Sequence, residues 1–236
     1  MQPREAAVPA TSQARLDALV ARRRVLEGFA LGAAAWLVPG VFAEALDEQL
    51  PLTPRQTEGP FYPDRLPLDR DNDLVIVGDR TTPALGRIVH LSGRVLTPAG
   101  SPVRNAFVEI WQVDNNGAYI HSRSSNRARR DPGFQGYGHF VTNAKGEYRF
   151  RTILPVAYPG RTPHIHVAVS HRRRRVLTTQ LYTAGVAQNA RDRIYRSLGA
   201  AGQRLVTVDY RTVADSKIGE LDGRKDLVVG VTPTAD

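Results

Sequence analysis

The chain has 236 residues, a formal charge of +9 and no cysteine. The absence of thiols excludes disulfide bridges, iron–sulfur clusters, thiolate-bound metals and cysteine nucleophiles. The length suits one domain with appendages. Three arginine-rich runs, at residues 22–24, 127–130 and 172–175, raise nucleic-acid binding as a hypothesis. No recognition helix, aromatic stacking set or zinc-finger spacing accompanies them, so we predict no nucleic-acid partner and interpret the arginines as solvated loop charge plus a targeting segment.

Residues 1–45 are predicted to be a signal peptide region. Arginines 22–24 precede an apolar stretch from Gly28 to Ala43, and Ala43-Glu44-Ala45 fits a small-x-small cleavage site. The order resembles a bacterial twin-arginine signal, which predicts export to the periplasm or the cell exterior. The apolar stretch is shorter than the roughly 20 residues of a spanning helix, so we expect no stable membrane insertion after cleavage. The alternatives are an amphipathic helix packed on the domain and an uncleaved anchor.

The rest of the chain predicts an all-β fold. Residues 46–87 are rich in proline and aspartate and predict an extended N-terminal arm, followed by one domain over residues 88–236. Asn143–Gly146 predicts a hairpin turn, and Asn189–Leu198 predicts a helix that ends before Gly199. Many short strands, long loops and at most one or two short helices are typical of a β-sandwich. The predicted strands cover residues 89–95, 106–113, 147–153, 164–170, 176–182, 205–210 and 227–231.

A His-x-His pair is the strongest candidate for chemistry. Side chains alternate along a strand, so His164 and His166 share one face while Ile165 points to the other. Two imidazoles side by side on a rigid strand can ligate one metal ion. Neighbouring sequence lacks the clustered aspartate and glutamate of a two-His-one-carboxylate ferrous site or a zinc hydrolase site, although a zinc hydrolase stays an alternative for metal analysis to test.

Tyrosines are the conspicuous oxygen donors near this pair. Tyr119 is predicted to end the strand that begins at Ala106, and Tyr158 lies in a segment stiffened by two prolines, with Arg161 between it and His164. A phenol with a pKa of about 10 is a poor ligand for a divalent ion near neutral pH. A trivalent cation favours the phenolate, so two tyrosines and two histidines fit ferric iron better than zinc or magnesium. The alternative is two half-buried aromatics beside ordinary strand histidines.

These motifs together resemble the intradiol ring-cleavage dioxygenases, the family of protocatechuate 3,4-dioxygenase and catechol 1,2-dioxygenase. The segment Arg-x-Pro-His-Ile-His with an upstream Pro-x-x-Tyr-Pro is the most specific part of the resemblance. The matching pieces, in chain order, are Thr57–Tyr62, Ser92–Val95, Val108–Gln112, Gly117–Tyr119, Phe134–Gly136, Arg151–Tyr158, Arg161–His166 and Thr179–Tyr182.

The resemblance implies a β-sandwich with one mononuclear non-haem Fe(III) held by Tyr119, Tyr158, His164 and His166. It implies that Tyr158 is released when a catechol binds. The reaction it implies is intradiol cleavage of a catechol-type aromatic by O2, which gives a muconate-type dicarboxylic acid. The partners are then a small aromatic diol and O2, with a homo-oligomer as a further expectation.

The resemblance also implies roles around the iron. Arg161 would polarise the bound substrate, Gln180 would hold Arg161, and Pro60 would line the substrate pocket. The segment from Tyr158 to His164 is shorter than in the better-known cytosolic members, which predicts a more open pocket. With the predicted export, this suggests an environmental or lignin-derived aromatic as substrate. The alternative function is a non-catalytic sandwich module, similar to transthyretin-like and carboxypeptidase-regulatory domains.

Overall fold

The computed structural model describes residues 49–230. The predicted signal peptide region therefore lies outside the described residues, as does the C-terminal end beyond residue 230. Within the described part, no helix is both long and apolar enough to cross a membrane.

In residues 49–230, ten strands form two five-stranded sheets, as expected for an all-β sandwich. The first sheet contains β1, β4, β8, β9 and β10, and the second has the order β3-β2-β5-β6-β7. The strands are β1 (Ile88–Leu96), β2 (Phe107–Trp111), β3 (Tyr137–Val141), β4 (Glu147–Ile153), β5 (His164–His171), β6 (Arg174–Thr183), β7 (Thr207–Val208), β8 (Arg211–Thr212), β9 (Leu221–Arg224) and β10 (Leu227–Val228).

The helical content is low but differs in detail from the prediction. A 3₁₀ turn at Ala187–Ala190 is followed by helix α1 (Arg193–Ser197) and helix α2 (Gly199–Val206), and a further 3₁₀ turn spans Arg127–Arg129. Gly199, with φ of +63°, does interrupt the helical path. The chain then resumes a helix, so the predicted strand at 205–210 was wrong except for β7.

Successive side chains of a strand point to opposite faces of the sheet. Each sheet can therefore turn one apolar face towards the other, and the core lies between them. On β2, Val108 and Ile110 are fully buried in this core, and on β5 Ile165, Val167 and Val169 join them. β1 and β4 contribute the facing layer from the first sheet, including Leu91 and Phe150. The predicted inward face of the His-x-His strand is therefore confirmed.

The turn at Asn143–Gly146 is present but does not close a hairpin. The Gly146 amide donates to the Asn143 carbonyl at 2.9 Å, and the Asn143 side chain accepts from the amides of Lys145 and Glu147. The strands on either side, β3 and β4, belong to different sheets. The residues of the turn correctly predicted that the chain reverses direction here. They did not predict which strand β4 pairs with, because that depends on packing, and the chain crosses at this turn from the second sheet to the first.

Residues 49–87 contain no helix or extended strand, yet they are packed against both sheets. Thr53 exchanges hydrogen bonds with Val228 of β10, and the Gln56 amide donates to the Thr178 carbonyl of β6 at 2.8 Å. Leu74 and Val75 are fully buried members of the core. The arm is thus held on the sandwich by backbone hydrogen bonds at one end and by apolar burial further along.

Candidate metal centre

β5 places His164 and His166 on the outer face of the second sheet. Its register aligns His166 with Trp111 of β2 on one side and with Gln180 of β6 on the other. The Trp111 ring stacks on the His166 imidazole with centroids 4.8 Å apart and planes within 8°. Both histidine side chains are buried. The strand therefore supplies two imidazoles whose positions are fixed by neighbours in the two adjacent strands, β2 and β6.

Tyr119 lies on a loop after β2, so its prediction as a strand end was wrong. β2 stops at Trp111, and Asp114 then organises a turn by accepting from the amides of Asn116 and Ala118, both at 2.9 Å. The Tyr119 amide donates to the Ser124 hydroxyl at 3.0 Å. The loop carries the phenol back over the face of β5 instead of continuing along the sheet.

A tight turn brings Tyr158 and Arg161 side by side. The sequence Tyr158-Pro159-Gly160-Arg161 has proline and glycine at the two central positions, and Gly160 has φ of +80°. This is the residue preference of a type II turn. The Arg161 amide donates to the Tyr158 carbonyl at 2.9 Å. The turn therefore places the backbones of Tyr158 and Arg161, three residues apart in sequence, next to each other.

The four predicted ligands converge on one small volume. Tyr119 Oη is 3.0 Å from His166 Nε2, 3.5 Å from His164 Nε2 and 3.5 Å from Tyr158 Oη. The two histidine Nε2 atoms are 3.2 Å apart. Ligands about 2 Å from a common ion lie roughly 3 Å apart at ordinary coordination angles. The spacing of these four atoms is thus compatible with one bound ion.

Hydrogen bonding sets the tautomer of His164. Its Nδ1 lies 2.7 Å from the Thr162 carbonyl, which can only accept, so Nδ1 carries the proton and Nε2 presents a lone pair to the cluster. Burial, then the charge of Arg161, lowers the pKa of His164 to about 4. Burial, then His164 and Arg161, lowers the pKa of His166 well below its usual value. Both imidazoles are therefore neutral at pH 7, as metal ligands must be.

The buried phenol of Tyr119 needs a cation to ionise. Burial, followed by the charge of Tyr158, raises the pKa of Tyr119 well above 10. No group of three or more histidine, cysteine, aspartate or glutamate side chains in residues 49–230 is arranged to hold a metal. The tyrosine oxygens lie beside the two imidazoles instead, with Tyr119 Oη 3.0 Å from His166 Nε2. Hard phenolate oxygens suit a hard, highly charged cation, so the donor set fits ferric iron.

Arg161 is fixed beside the four donors by two anchors. Its Nε donates to Asp192 Oδ2 at 2.8 Å, and its Nη2 donates to Gln180 Oε1 at 2.5 Å. Gln180 is itself held, because its Nε2 donates to the Thr57 carbonyl at 3.0 Å. Burial alone would lower the pKa of Arg161, but the hydrogen bond and charge of Asp192 outweigh burial and raise it. The structure thus brings Gln180 to Arg161, the contact that the resemblance implied.

Asp192 is the functional neighbour that the sequence analysis missed. One carboxylate oxygen accepts from Arg161 and the Thr162 amide, and the other accepts from the Tyr195 amide as the N-cap of α1. Burial would raise the pKa of Asp192, yet these hydrogen bonds and the charge of Arg161 lower it. The available signal was an aspartate at the start of a predicted helix, which is a common capping position and says nothing about a partner 31 residues away.

Residues 57–62, called the cover below, lie over the cluster. A side chain at Gly59 would place its Cβ 3.5 Å from His166 Cε1, and the Phe61 ring stacks on Tyr119 with centroids 5.0 Å apart. Pro60, the predicted pocket residue, lies between these two and is exposed. Its contact with substrate stays a prediction, while its neighbours on both sides contact donor residues directly.

A cleft of about 450 Å³ opens beside Tyr119. Three arginines, Arg65, Arg127 and Arg130, line it with a single carboxylate, Asp64, whose oxygens accept from the amide and hydroxyl of Ser122. The second arginine-rich run therefore faces a cleft next to a donor residue. In the third run, Arg175 pairs with Glu58 and Glu109, so the interpretation of that run as purely solvated charge was wrong for this residue.

Residues 57–229 match the sequence profile of the Dioxygenase_C family, described as dioxygenase. The protocatechuate 3,4-dioxygenase beta chain of Burkholderia cepacia is 39% identical over 147 residues, which cover 58% of this chain and 62% of that one. The catechol 1,2-dioxygenase of Acinetobacter baylyi is 32% identical over 151 residues, which cover 56% of this chain and 47% of that one. The chain thus spans about half to three fifths of the length of these relatives.

A solved structure agrees in fold over more of the chain. The dioxygenase domain of a dioxygenase carbohydrate-binding protein fusion from Streptomyces sp. SirexAA-E is 32% identical, with a TM-score of 0.60. The match covers 77% of this chain and 100% of that domain. The two-sheet fold, the family profile and these relatives define the class of protein. The chain belongs to the intradiol ring-cleavage dioxygenase family, a family of oxidoreductases.

Proposed function

We propose that this protein cleaves a catechol-type aromatic with O2 between its two hydroxylated carbons, using one ferric ion. The observation that carries the proposal is the convergence of Tyr119, Tyr158, His164 and His166, with donor atoms 3.0–3.5 Å apart along the measured contacts. The product would be a muconate-type dicarboxylic acid. Family membership supports the reaction class, and the choice of diol belongs to the proposal.

In this proposal the four side chains hold the ion, which when bound supplies Lewis acidity and a template for two adjacent diol oxygens. The chain supplies the proton acceptors. Tyr158 is the half-buried member of the set, whereas Tyr119 is almost fully buried under Phe61. Tyr158 is therefore the phenolate that can swing away and accept a proton from the incoming diol.

Arg161 has the geometry of an electrostatic stabiliser. A guanidinium carries five N–H donors, and Asp192 and Gln180 each engage one. In this proposal, donors of the guanidinium beyond these two contacts bind a substrate beside Tyr158. Because two anchors fix the plane of the guanidinium beforehand, no reorganisation is needed when negative charge develops on the ring being cleaved. The same charge favours the doubly deprotonated diol over the neutral one.

The visible spectrum of iron-loaded protein is the direct test. Tyrosinate-to-iron charge transfer should give a red-purple colour that changes when catechol is added under nitrogen, with one iron per chain and O2 consumption on adding air. Tyr119→Phe, which removes one donor oxygen and little volume, should weaken the colour, because only Tyr158 is left as a tyrosinate, and should lower O2 uptake by about 100-fold or more.

Tyr148→Phe is the matched control. This phenol is also buried, but it donates to the Lys225 carbonyl at 2.6 Å in the first sheet, away from the cluster. It should keep both colour and activity. A colourless protein that binds no iron and consumes no O2 with any catechol would contradict the proposal and favour a non-catalytic sandwich module. A protein that binds zinc and catalyses hydrolysis would also contradict the proposal and would favour a zinc hydrolase.

Export by a twin-arginine route is a separate proposal, supported by the sequence of residues 22–45 alone. Replacing Arg22 and Arg23 together by lysine should retain the full-length protein inside the cell. Cell fractionation of the two forms in a bacterial host measures this. Equal export of both forms would contradict it.

A further inference from the structure

The cover is attached to the sheet at several points around the donors. The Thr57 carbonyl accepts from Gln180, Gly59 lies against His166, and Phe61 stacks on Tyr119. Tyr62 packs edge-on against Trp111 at 5.1 Å between centroids. Trp111 in turn stacks on His166. The cover therefore contacts two of the four donors, His166 and Tyr119, from outside the sheet.

A buried carboxylate holds the end of the cover. Glu109 of β2 is only 4% exposed, and its Oε1 accepts from the Tyr62 hydroxyl at 2.7 Å and from the Tyr137 hydroxyl at 2.8 Å. Tyr62 belongs to the cover, whereas Tyr137 belongs to β3 within the same sheet as Glu109. One oxygen thus joins the cover to the sheet beneath it.

The second oxygen of Glu109 binds an arginine that also holds the cover. Arg175 Nη2 donates to Glu109 Oε2 at 3.0 Å, and Nη1 donates to Glu58 Oε2 at 3.1 Å. The guanidinium lies 5.9 Å from the centroid of the Tyr62 ring. Arg175 therefore contacts both ends of the cover, with Glu109 as its buried counter-charge.

The energetics require these partners. A buried carboxylate is tolerated only when it is paired and hydrogen-bonded, and removing one partner of such a set costs several-fold more than removing a surface contact. Burial, then the hydrogen bond and charge of Glu109, raises the pKa of Tyr62 to about 12, so this phenol remains a donor at neutral pH. The Tyr62 hydroxyl, the Tyr137 hydroxyl and the Arg175 guanidinium all donate to the Glu109 carboxylate.

We propose that Glu109 and Arg175 are positioning residues that latch the cover over the metal donors. They contact no donor atom themselves and act through Tyr62, Glu58 and the stacked Trp111. The proposal assigns a role to two segments that carry the family resemblance but contain no metal ligand, Thr57–Tyr62 and Val108–Gln112. The consequence for catalysis rests on the proposed function, while the latch itself can be tested on the purified full chain without turnover.

Amide hydrogen exchange of residues 57–62 is the primary measurement. Tyr62→Phe and Glu109→Gln should each speed exchange in the cover by about 10-fold, the equivalent of one charge-assisted hydrogen bond. Tyr137→Phe is the matched control, because it removes a hydroxyl from the same Glu109 oxygen but leaves the cover attached. Its exchange in residues 57–62 should match the parent protein. Faster exchange confined to the cover separates a latch from general destabilisation.

Kinetics provide the second measurement. With iron-loaded protein, Tyr62→Phe and Glu109→Gln should raise KM for catechol by about 5- to 10-fold with kcat within roughly 2-fold, since the donors stay and only the cover moves. Arg175→Lys, which keeps the charge but loses the two-pronged contact, should fall between these variants and the parent.

The outcomes distinguish the two proposals. If the parent protein takes up no O2 with any diol, the proposed function fails while the exchange experiment still tests the latch. If exchange in residues 57–62 is unchanged in Tyr62→Phe and Glu109→Gln, or equally faster in Tyr137→Phe, the latch is overturned whatever the activity. An active parent whose variants lose kcat but keep KM would also overturn it.

Discussion

The two faces of the second sheet are both buried, but they differ in chemistry. The inner face of β5 carries Ile165, Val167 and Val169, which contact the apolar core and carry no polar side-chain atom. The outer face carries His164 and His166, covered by aromatic rings and by a segment without regular secondary structure. One strand of eight residues therefore contributes to stability on one side and to the candidate site on the other.

The difference shows how a buried polar site is maintained. On the inner face, dispersion and the hydrophobic effect suffice, and any apolar side chain of the right volume serves. On the outer face buried polar atoms depend on specific partners, because an unpaired buried polar group is costly, although the His166 Nδ1 has no hydrogen-bond partner among the described residues. Thr162, Asp192 and Gln180 are such partners. Substitutions on the two faces should therefore separate stability from function.

The largest effect is expected on the inner face. Ile165→Ala leaves a cavity in the apolar core, on the side of β5 opposite the two histidines, and should lower the free energy of unfolding by about 2–5 kcal/mol. Iron bound per folded chain should stay the same, because both histidines keep their partners. Urea unfolding and metal analysis measure the two quantities. Val141→Ala, at a half-exposed position at the end of β3, should change stability by less than about 0.5 kcal/mol. Loss of iron from folded Ile165→Ala would show that the two faces are not separable.

The next effect is the pH dependence of the metal-free protein. The pKa of His164 is lowered from 6.5 to about 4 in the folded chain, so between these pH values the unfolded chain binds more protons. Stability contributed by neutral His164 is complete above pH 6.5 and is lost as the pH falls toward 4, by about 3 kcal/mol.

Urea unfolding of metal-free protein between pH 7 and pH 4 tests this, with His164→Gln as the comparison. The variant should show a shallower loss of stability over that interval. His90→Gln is the control, because that histidine is partly exposed and pairs with Glu220 away from the cluster. A parallel slope in parent and His164→Gln would contradict the assignment of the effect to the outer face.

A smaller effect is expected at the anchor of Arg161. Asp192→Asn keeps the shape but removes the charge that binds Arg161 Nε, so the guanidinium loses orientation rather than its own charge. We expect kcat to fall roughly 10- to 100-fold while the iron spectrum without substrate is unchanged. Steady-state O2 uptake and the visible spectrum measure this. Asp209→Asn, at an exposed ion pair with Arg211, should leave both unchanged. An altered iron spectrum in Asp192→Asn would place its effect on the ligands instead.

The smallest effect is expected at the hairpin between β5 and β6, which lies on neither face. Arg173 adopts φ of +62°, where a non-glycine residue is strained. Arg173→Gly should raise the free energy of unfolding by less than about 1 kcal/mol, because relief of strain is partly offset by backbone entropy. KM and kcat should not move. A change in KM would mean that this end of the hairpin, close in sequence to Arg175, also controls the cover.

The sequence by itself determined the fold class and most members of the candidate site, Asp192 being the exception. Alternation along β5 assigned the faces of Ile165 and His164, and the Tyr-Pro-Gly-Arg turn kept Tyr158 beside Arg161, because both follow from local backbone geometry. Tyr119 and Tyr158 were predicted as oxygen donors from the residues around the His-x-His pair, and the resemblance then indicated Gln180 as a member of the same site. Assigning a residue to a face or to a site in this way needs only rules that act over a few residues, or a sequence motif specific to one family.

Tertiary structure alone decided which distant groups meet. Asp192 reaches Arg161 across 31 residues, and Glu109 joins Tyr62 across 47, through contacts that no local pattern encodes. The same holds for the turn at Asn143–Gly146, whose residues set a reversal but not the sheet that receives the next strand. Period and turn chemistry act within a few residues. Pairing between sheets and between buried charges is set by packing the whole chain, because only the folded core excludes the water that would otherwise satisfy those groups.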